Sequence, residues 1–187
     1  MEQRCSTINT FSSRNSTLFL IWISMLLLLI FLQMATSLVY FAGVFISSSQ
    51  AVISPFLFCQ TSRHAEVTCS RWQRSSPDEV DSERNINFVA TLLILCFYAP
   101  LAFVAFALLA VLLAAYAKDR STLKFSMVCQ AASSTLLLTG IVGFLLSYQS
   151  YVTWEDLTLW FYLCVGVQLE LVVTTVLTGV AGKNLMP

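Results

Sequence analysis

The chain has 187 residues, of which 57% are hydrophobic and 11% charged, and its ten basic and ten acidic side chains leave no net charge at pH 7. Soluble proteins carry about 25% charged residues, so a soluble globular fold is excluded. Outside four apolar stretches remain one loop, two short connections and two tails, too little contiguous sequence to bury a core of their own.

Four spans are predicted, at residues 17–46, 88–117, 123–148 and 157–181. Each meets the roughly 20 apolar residues that a helix needs to cross a bilayer. Arg4 and Arg14 ahead of the first span resemble the charged start of a signal peptide. The run from Leu18 to Leu32 is nevertheless apolar apart from Ser24 and continues past Tyr40. Signal-peptide cores are only about 7 to 15 residues long, so the segment is expected to stay as an uncleaved anchor. Asn15-Ser16-Thr17 matches a glycosylation sequon but lies on the expected cytosolic side, where it stays unmodified. Cys5 is close to the same membrane face and is a candidate for reversible palmitoylation, the alternative being a free thiol.

A polar loop at residues 47–87 follows, with Cys59 and Cys69 inside it. Ala51 to Gln60 and Glu66 to Trp72 are predicted as two small strands. A Cys59–Cys69 bond would staple them and stabilise the unit by about 2 to 3 kcal/mol; the alternative is two free thiols in a flexible loop. Ser76-Pro77-Asp78-Glu79 reads as a helix start, with serine as cap, proline in the first turn and glutamate closing a capping box. Asp81 and Glu83 also favour the positive end of that helix. A short external helix is expected, or else a solvated acidic turn.

Pro100 falls inside the second span, where the missing N–H predicts a kink; a gating hinge is the alternative. Lys118-Asp119-Arg120 is a tight connection. In the third span Ala131, Thr135, Thr139, Gly143 and Ser147 recur at every fourth position, as do Gly166, Glu170, Thr174, Thr178 and Gly182 in the fourth. Small side chains let helices approach in lipid, so these two faces are expected to meet inside the bundle or to receive a second copy. In the short loop at 149–156, Thr153 and Asp156 suit a helix cap. Tyr148, Tyr151, Trp154 and Trp160 suit the interfacial aromatic belt, or a partner.

Charge sets the expected orientation. Arg4, Arg14, Lys118, Arg120, Lys124 and Lys183 flank the spans on one side, with Glu2 and Asp119 as the acids there. Arg63, Arg71, Arg74 and Arg84 lie on the other side beside Glu66, Asp78, Glu79, Asp81, Glu83, Glu155 and Asp156. The positive-inside rule then puts both termini in the cytosol and residues 47–87 outside, on a plasma membrane or an endomembrane. An oxidising compartment agrees with a Cys59–Cys69 pair. Cys96, Cys129 and Cys164 stand singly in apolar runs as small hydrophobes.

Glu170 is the one ionisable side chain inside an apolar span, and an intramembrane acid marks a candidate site. Gln33 lies at comparable depth and Thr174 one turn away. A structural polar clasp with Gln33, ion or proton handling, and a partner contact are the three readings. Catalysis has no support: His64 is the only histidine and stands without an acid or nucleophile set, and there is no Cys-x-x-Cys, metal-ligand spacing or glycine-rich phosphate loop. No cofactor, metal or nucleic acid is expected, the scattered basic residues being explained by topology.

The cysteine pair in the first loop, the helix start before span two and the short second loop resemble the claudin and peripheral myelin protein 22 type of four-pass protein. Phe58-Cys59 with Cys69, and Gly143-Phe144-Leu145-Leu146-Ser147-Tyr148, resemble segments of the transmembrane protein 140 family more closely. Phe56-Leu57-Phe58 stands where claudins carry Gly-Leu-Trp, so the resemblance implies topology rather than mechanism. The expected fold is an all-α membrane protein: a four-helix transmembrane bundle with a small disulfide-stapled, partly β extracellular loop. The expected role is a non-enzymatic interaction or organising one, with the bilayer, unidentified membrane or extracellular proteins, or a second copy as partner. The alternative is a channel or transporter subunit using Glu170.

Overall fold

Four helices long and apolar enough to cross a membrane make up most of the structure. The computed structural model describes residues 2–37, 44–48, 51–54, 58–61, 67–70, 80–147 and 155–184. The helices are α1 (Glu2–Ala35), α2 (Val80–Ala117), α3 (Arg120–Ser147) and α4 (Leu159–Asn184). Their membrane-length stretches are Thr17–Ala35, Thr91–Ala117, Arg120–Ser147 and Leu159–Lys183. The chain is therefore a multi-pass integral membrane protein.

Buried positions recur at alternating steps of three and four in every helix. They are Leu20, Ile23, Leu27, Ile30 and Met34 in α1, and Leu93, Phe97, Pro100, Val104, Ala107, Val111 and Ala114 in α2. In α3 they are Leu123, Ser126, Gln130, Ser133, Leu137, Gly140 and Phe144, and in α4 Val167, Leu171, Thr174, Thr178 and Ala181. An average step near 3.5 is the spacing of left-handed helix bundles. The opposite faces are equally apolar, with Trp22, Met25, Leu95, Leu113, Val128, Leu146, Leu169 and Val176 exposed. Helices apolar all round suit a lipid environment, where packing rather than escape from water selects the inner face.

Each helix packs on its neighbours in sequence, and α1 closes the ring against α4. The turn between α2 and α3 explains its own sharpness. Lys118 takes a positive φ of 54°, and its N–H bonds to the Ala114 carbonyl at 2.9 Å, a left-handed helix ending. Asp119 then caps α3, its carboxylate accepting from Ser121 N at 3.0 Å and Thr122 Oγ1 at 2.7 Å. These bonds, Thr122 first, hold the Asp119 carboxyl below the usual carboxylate range.

At the opposite end, four short strands form an antiparallel meander in chain order: β1 (Ile46–Ser47), β2 (Ala51–Ile53), β3 (Phe58–Thr61) and β4 (Val67–Ser70). The register sets Cys59 opposite Cys69. The sheet is tied down by backbone bonds. Phe45 N–H donates to Ile53 O at 3.0 Å, Ser47 N–H to Asp156 O at 3.0 Å, and Thr158 N–H to Phe45 O at 3.0 Å. Thr158 Oγ1 donates to Val44 O at 2.6 Å, and Ile46 bridges to Leu157.

Three expectations change. The first span does not reach Ile46: α1 stops at Ala35, passes through a wider π-type turn at Thr36 and Ser37, and Ile46 is already in β1. Phe45 and Ile46 are apolar because they cover the end of the bundle, not because they cross the bilayer. Two strands become four: Ala51 to Gln60 divides into β2 and β3, Glu66 to Trp72 holds β4, and β1 arises at Ile46–Ser47, where the first span was expected to end. The helix ahead of span two is no separate element, since α2 runs unbroken from Val80. Ser76 to Glu79, His64, Arg63, Arg71, Arg74, Tyr148, Tyr151, Thr153 and Trp154 lie outside the described residues.

Candidate functional site

The bundle interior is not uniformly apolar, and its polar groups form a seam across α2, α3 and α4. Ser126 Oγ donates to the Ala107 carbonyl at 2.9 Å. Gln130 Nε2 donates to Ser126 Oγ at 3.0 Å and to Thr178 Oγ1 at 3.1 Å. The Thr178 hydroxyl has the Thr174 carbonyl at 2.8 Å and Gln130 Oε1 at 3.2 Å as acceptors. Ser126, Gln130 and Thr178 are all essentially inaccessible, so each bond is made without competition from water. One turn further, Ser133 Oγ donates to the Pro100 carbonyl at 3.1 Å. Pro100 thus sits inside the helix with an added bond from α3 to its own carbonyl; the carbonyl that the missing proline N–H leaves free is that of Cys96, four residues earlier.

The close approach that permits this comes from α3 glycines facing α2. A Cβ built on Gly140 would lie 3.0 Å from Cys96 Cβ, and one on Gly143 3.3 Å from Leu93 Cδ2. Gln168 Nε2 donates to Ser134 Oγ at 2.9 Å, joining α3 to α4 a second time.

The face expected on the third span does not meet α4 inside the bundle. Ala131, Thr135, Thr139 and Ser147 are exposed, and the Thr135 and Thr139 hydroxyls bond back to their own helix. A strict step of four residues advances about 40° per step around a helix of 3.6 residues per turn, so the row drifts out of the interface. Gly143 alone of that row is half-buried. On α4, Thr174 and Thr178 are buried in the seam, Gly182 is half-buried near Leu123, and Gly166 has nothing within 4 Å of a built Cβ. Ser126, Gln130, Ser133 and Gln168 are neither charged nor part of the small-residue rows, so neither pattern points to them. Their signal was the polar run 126, 130, 133 sharing the spacing of Leu123, Leu137 and Phe144.

Glu170 is half-buried in α4. At about 1.5 Å per residue it stands about 16 Å beyond Leu159, near the middle of a hydrocarbon core about 30 Å thick. Met34, next to Gln33, and Val167, one turn before Glu170, line the same small cavity, so the two polar residues lie within about one helical turn of it. No hydrogen bond joins them among the described residues: Gln33 Oε1 and Glu170 Oε2 are each buried without a partner, as is Gln168 Oε1. The expected clasp is therefore not formed. Each side chain flanks an inward-facing neighbour, Met34 or Leu171, and so stands off the seam. Thr174 Oγ1 bonds to the Glu170 carbonyl, not its carboxylate, at 2.7 Å.

Above the seam an aromatic cluster closes the bundle. The Phe45 ring meets Phe97, Phe144 and Phe161 edge-on, with centroids at 5.3, 5.1 and 5.7 Å. Cys96 and Cys129 are buried free thiols and Cys164 is half-buried and free, the small-hydrophobe role their isolation suggested.

The seam has a measurable signature. Gln130→Leu and Thr178→Val each remove the Gln130–Thr178 hydrogen bonding between α3 and α4, and interhelical bonds in membranes contribute about 0.6 kcal/mol on average and up to about 1.7. In a double-mutant cycle of unfolding in micelles, the pair should cost less than the two single losses together by about that amount; strict additivity would mean that the two groups do not interact.

Among known proteins, no family model matches the chain, and no curated protein matches its sequence.

Proposed function

We propose that this is a non-enzymatic four-pass membrane protein of the claudin and peripheral myelin protein 22 topology, with both termini cytosolic. Its first external loop carries a sheet fixed to the bundle and serves contact with membrane or extracellular proteins. The observation that carries the reading is the clamp between sheet and bundle. Phe45 enters the aromatic cluster while its backbone N–H and carbonyl bond to Ile53 and Thr158. A sheet fixed in this way presents its outer residues without the entropy cost of ordering a free loop on binding.

A Cys59–Cys69 disulfide completes the unit in this reading. Directly opposed residues of an antiparallel pair have Cα atoms about 4.5 to 5.5 Å apart, within the span of about 4.4 to 6.8 Å that a disulfide bridges. Cys59 is also not among the free cysteines, which among the described residues are Cys96, Cys129 and Cys164. Proximity labelling from the loop side, against a control of matched topology, is expected to return enriched membrane or extracellular neighbours. An unenriched set would end the interaction reading.

A second reading, a channel or transporter subunit, is favoured by the unpaired Glu170 Oε2, which a homo-oligomer would multiply around an axis. Glu170→Gln separates the two. With no side-chain bond to lose, the variant should fold and express at least as well as the parent, and conductance in proteoliposomes should stay at background for both. A parent conductance that the substitution alters would establish the channel.

A further inference from the structure

At the end of the bundle away from the sheet, a cleft of about 580 Å³ opens between α3 and α4. That size falls in the range of roughly 300 to 1,000 Å³ typical of ligand clefts. Its floor and walls are apolar, with Leu123 and Met127 from α3 and Val176 and Val180 from α4. The space exists because Gly179 carries no side chain: a Cβ there would lie 3.4 Å from Met127 Sδ. The rim is cationic. Arg120 and Lys124, four residues apart and so on one face of α3, meet Lys183 from the last turn of α4 around the same opening. All three are exposed, and none has an ion-pair or hydrogen-bond partner among the described residues. The acid beside them, Asp119, is occupied in capping α3 through Ser121 and Thr122.

We propose that this cleft binds an anionic phospholipid, its net-negative headgroup held by Arg120, Lys124 and Lys183 and one acyl chain lying over Met127 and Gly179. The two halves of the site together select that class. A free phosphate or other soluble anion has no use for an apolar floor inside the membrane-length part of α3 and α4, and a sterol or neutral lipid leaves three cations unanswered. Basic pockets between transmembrane helices at the membrane surface are suited to acidic headgroups. The site stands on the geometry of this end of the bundle alone, independently of the external loop, its disulfide and the role proposed for it.

The test uses the full chain in nanodiscs of phosphatidylserine and phosphatidylcholine with identical acyl chains, retained lipid being counted by native mass spectrometry. Phosphatidylserine should be retained about tenfold above its bulk ratio. Each charge removed in the series Arg120→Gln, Lys124→Gln and Lys183→Gln should weaken retention about fivefold, until the bulk ratio is reached. Gly179→Leu fills the cleft with all charges intact and should also abolish the preference. Val176→Trp, at a side chain that already faces outward, does the same without touching the core. Glycerophosphoserine, which has the headgroup and no acyl chains, should not displace the lipid. An enrichment that survives the triple charge variant or both cleft-filling variants would overturn the site, and displacement by glycerophosphoserine would show a soluble-anion site instead.

Discussion

Replacing Phe45 with alanine should destabilise the protein by about 3 kcal/mol, the low end of the range for deleting a buried phenylalanine. The ring is 2% exposed and makes three edge-on contacts, each contributing about 0.5 to 1.5 kcal/mol beyond simple burial. The low end applies because lipid and the surrounding rings take up part of the vacated space. The consequence is local as well as global. Phe45 is the residue through which β2, by its Ile53 carbonyl, and the start of α4, by the Thr158 N–H, are joined to the bundle. Hydrogen exchange at the Phe45 and Thr158 amides should therefore rise more than exchange in the middle of α2 or α3. Phe45→Leu should recover about half of the lost stability. Unchanged amide protection in Phe45→Ala would show that the sheet is held by something other than this cluster.

Two glycine substitutions should have opposite signs. Gly140→Leu forces α2 and α3 apart, since even a Cβ would meet Cys96 Cβ at 3.0 Å and the Phe97 ring at 3.3 Å. Overpacking of this kind costs about 1 to 3 kcal/mol, and a whole leucine at a backbone approach belongs at the upper end. The separation would also lengthen the Ser133 bond to Pro100, two turns away on the same face. Gly166→Ala meets nothing within 4 Å and replaces a residue that weakens helices by about 0.5 to 1 kcal/mol, so it should stabilise by about that amount. Thermal unfolding in one detergent compares them directly. Equal effects would mean that the α2–α3 contact is looser than the 3.0 Å approach requires.

The same two glycines show what was legible in the sequence. Gly166 stands in a row of small residues, the pattern expected for helix packing, and it faces open space. Gly140 stands outside such a row, yet it makes the closest helix approach among the described glycines. Small residues mark interfaces only when they fall on the row that the apolar residues define, and here that row advances by three and four in turn. The four helices were legible from length and apolarity, which in lipid are nearly sufficient. Their inner faces were not, because the outer faces are as apolar as the inner ones and the usual amphipathic contrast is lost.

The clamp was hidden for a related reason. Phe45 and Ile46 continue the apolar run of the first span, and nothing in hydropathy separates a residue that crosses a bilayer from one that seals a bundle. Glu170 was legible as costly, but not its lack of a partner. A carboxylate and an amide at one depth suggest a bond, and only the rotation of each helix decides whether they face each other. The polar seam at Gln130 needed the same knowledge of rotation.

Most directly, the account of an external unit docked on a closed bundle is tested by mass-spectrometric peptide mapping, without reduction, of protein taken from intact cells. The predicted result is a single peptide pair linking Cys59 to Cys69, which places the sheet in an oxidising compartment. Both thiols free, and modified by a reagent confined to the cytosol, would invert the topology and contradict the account.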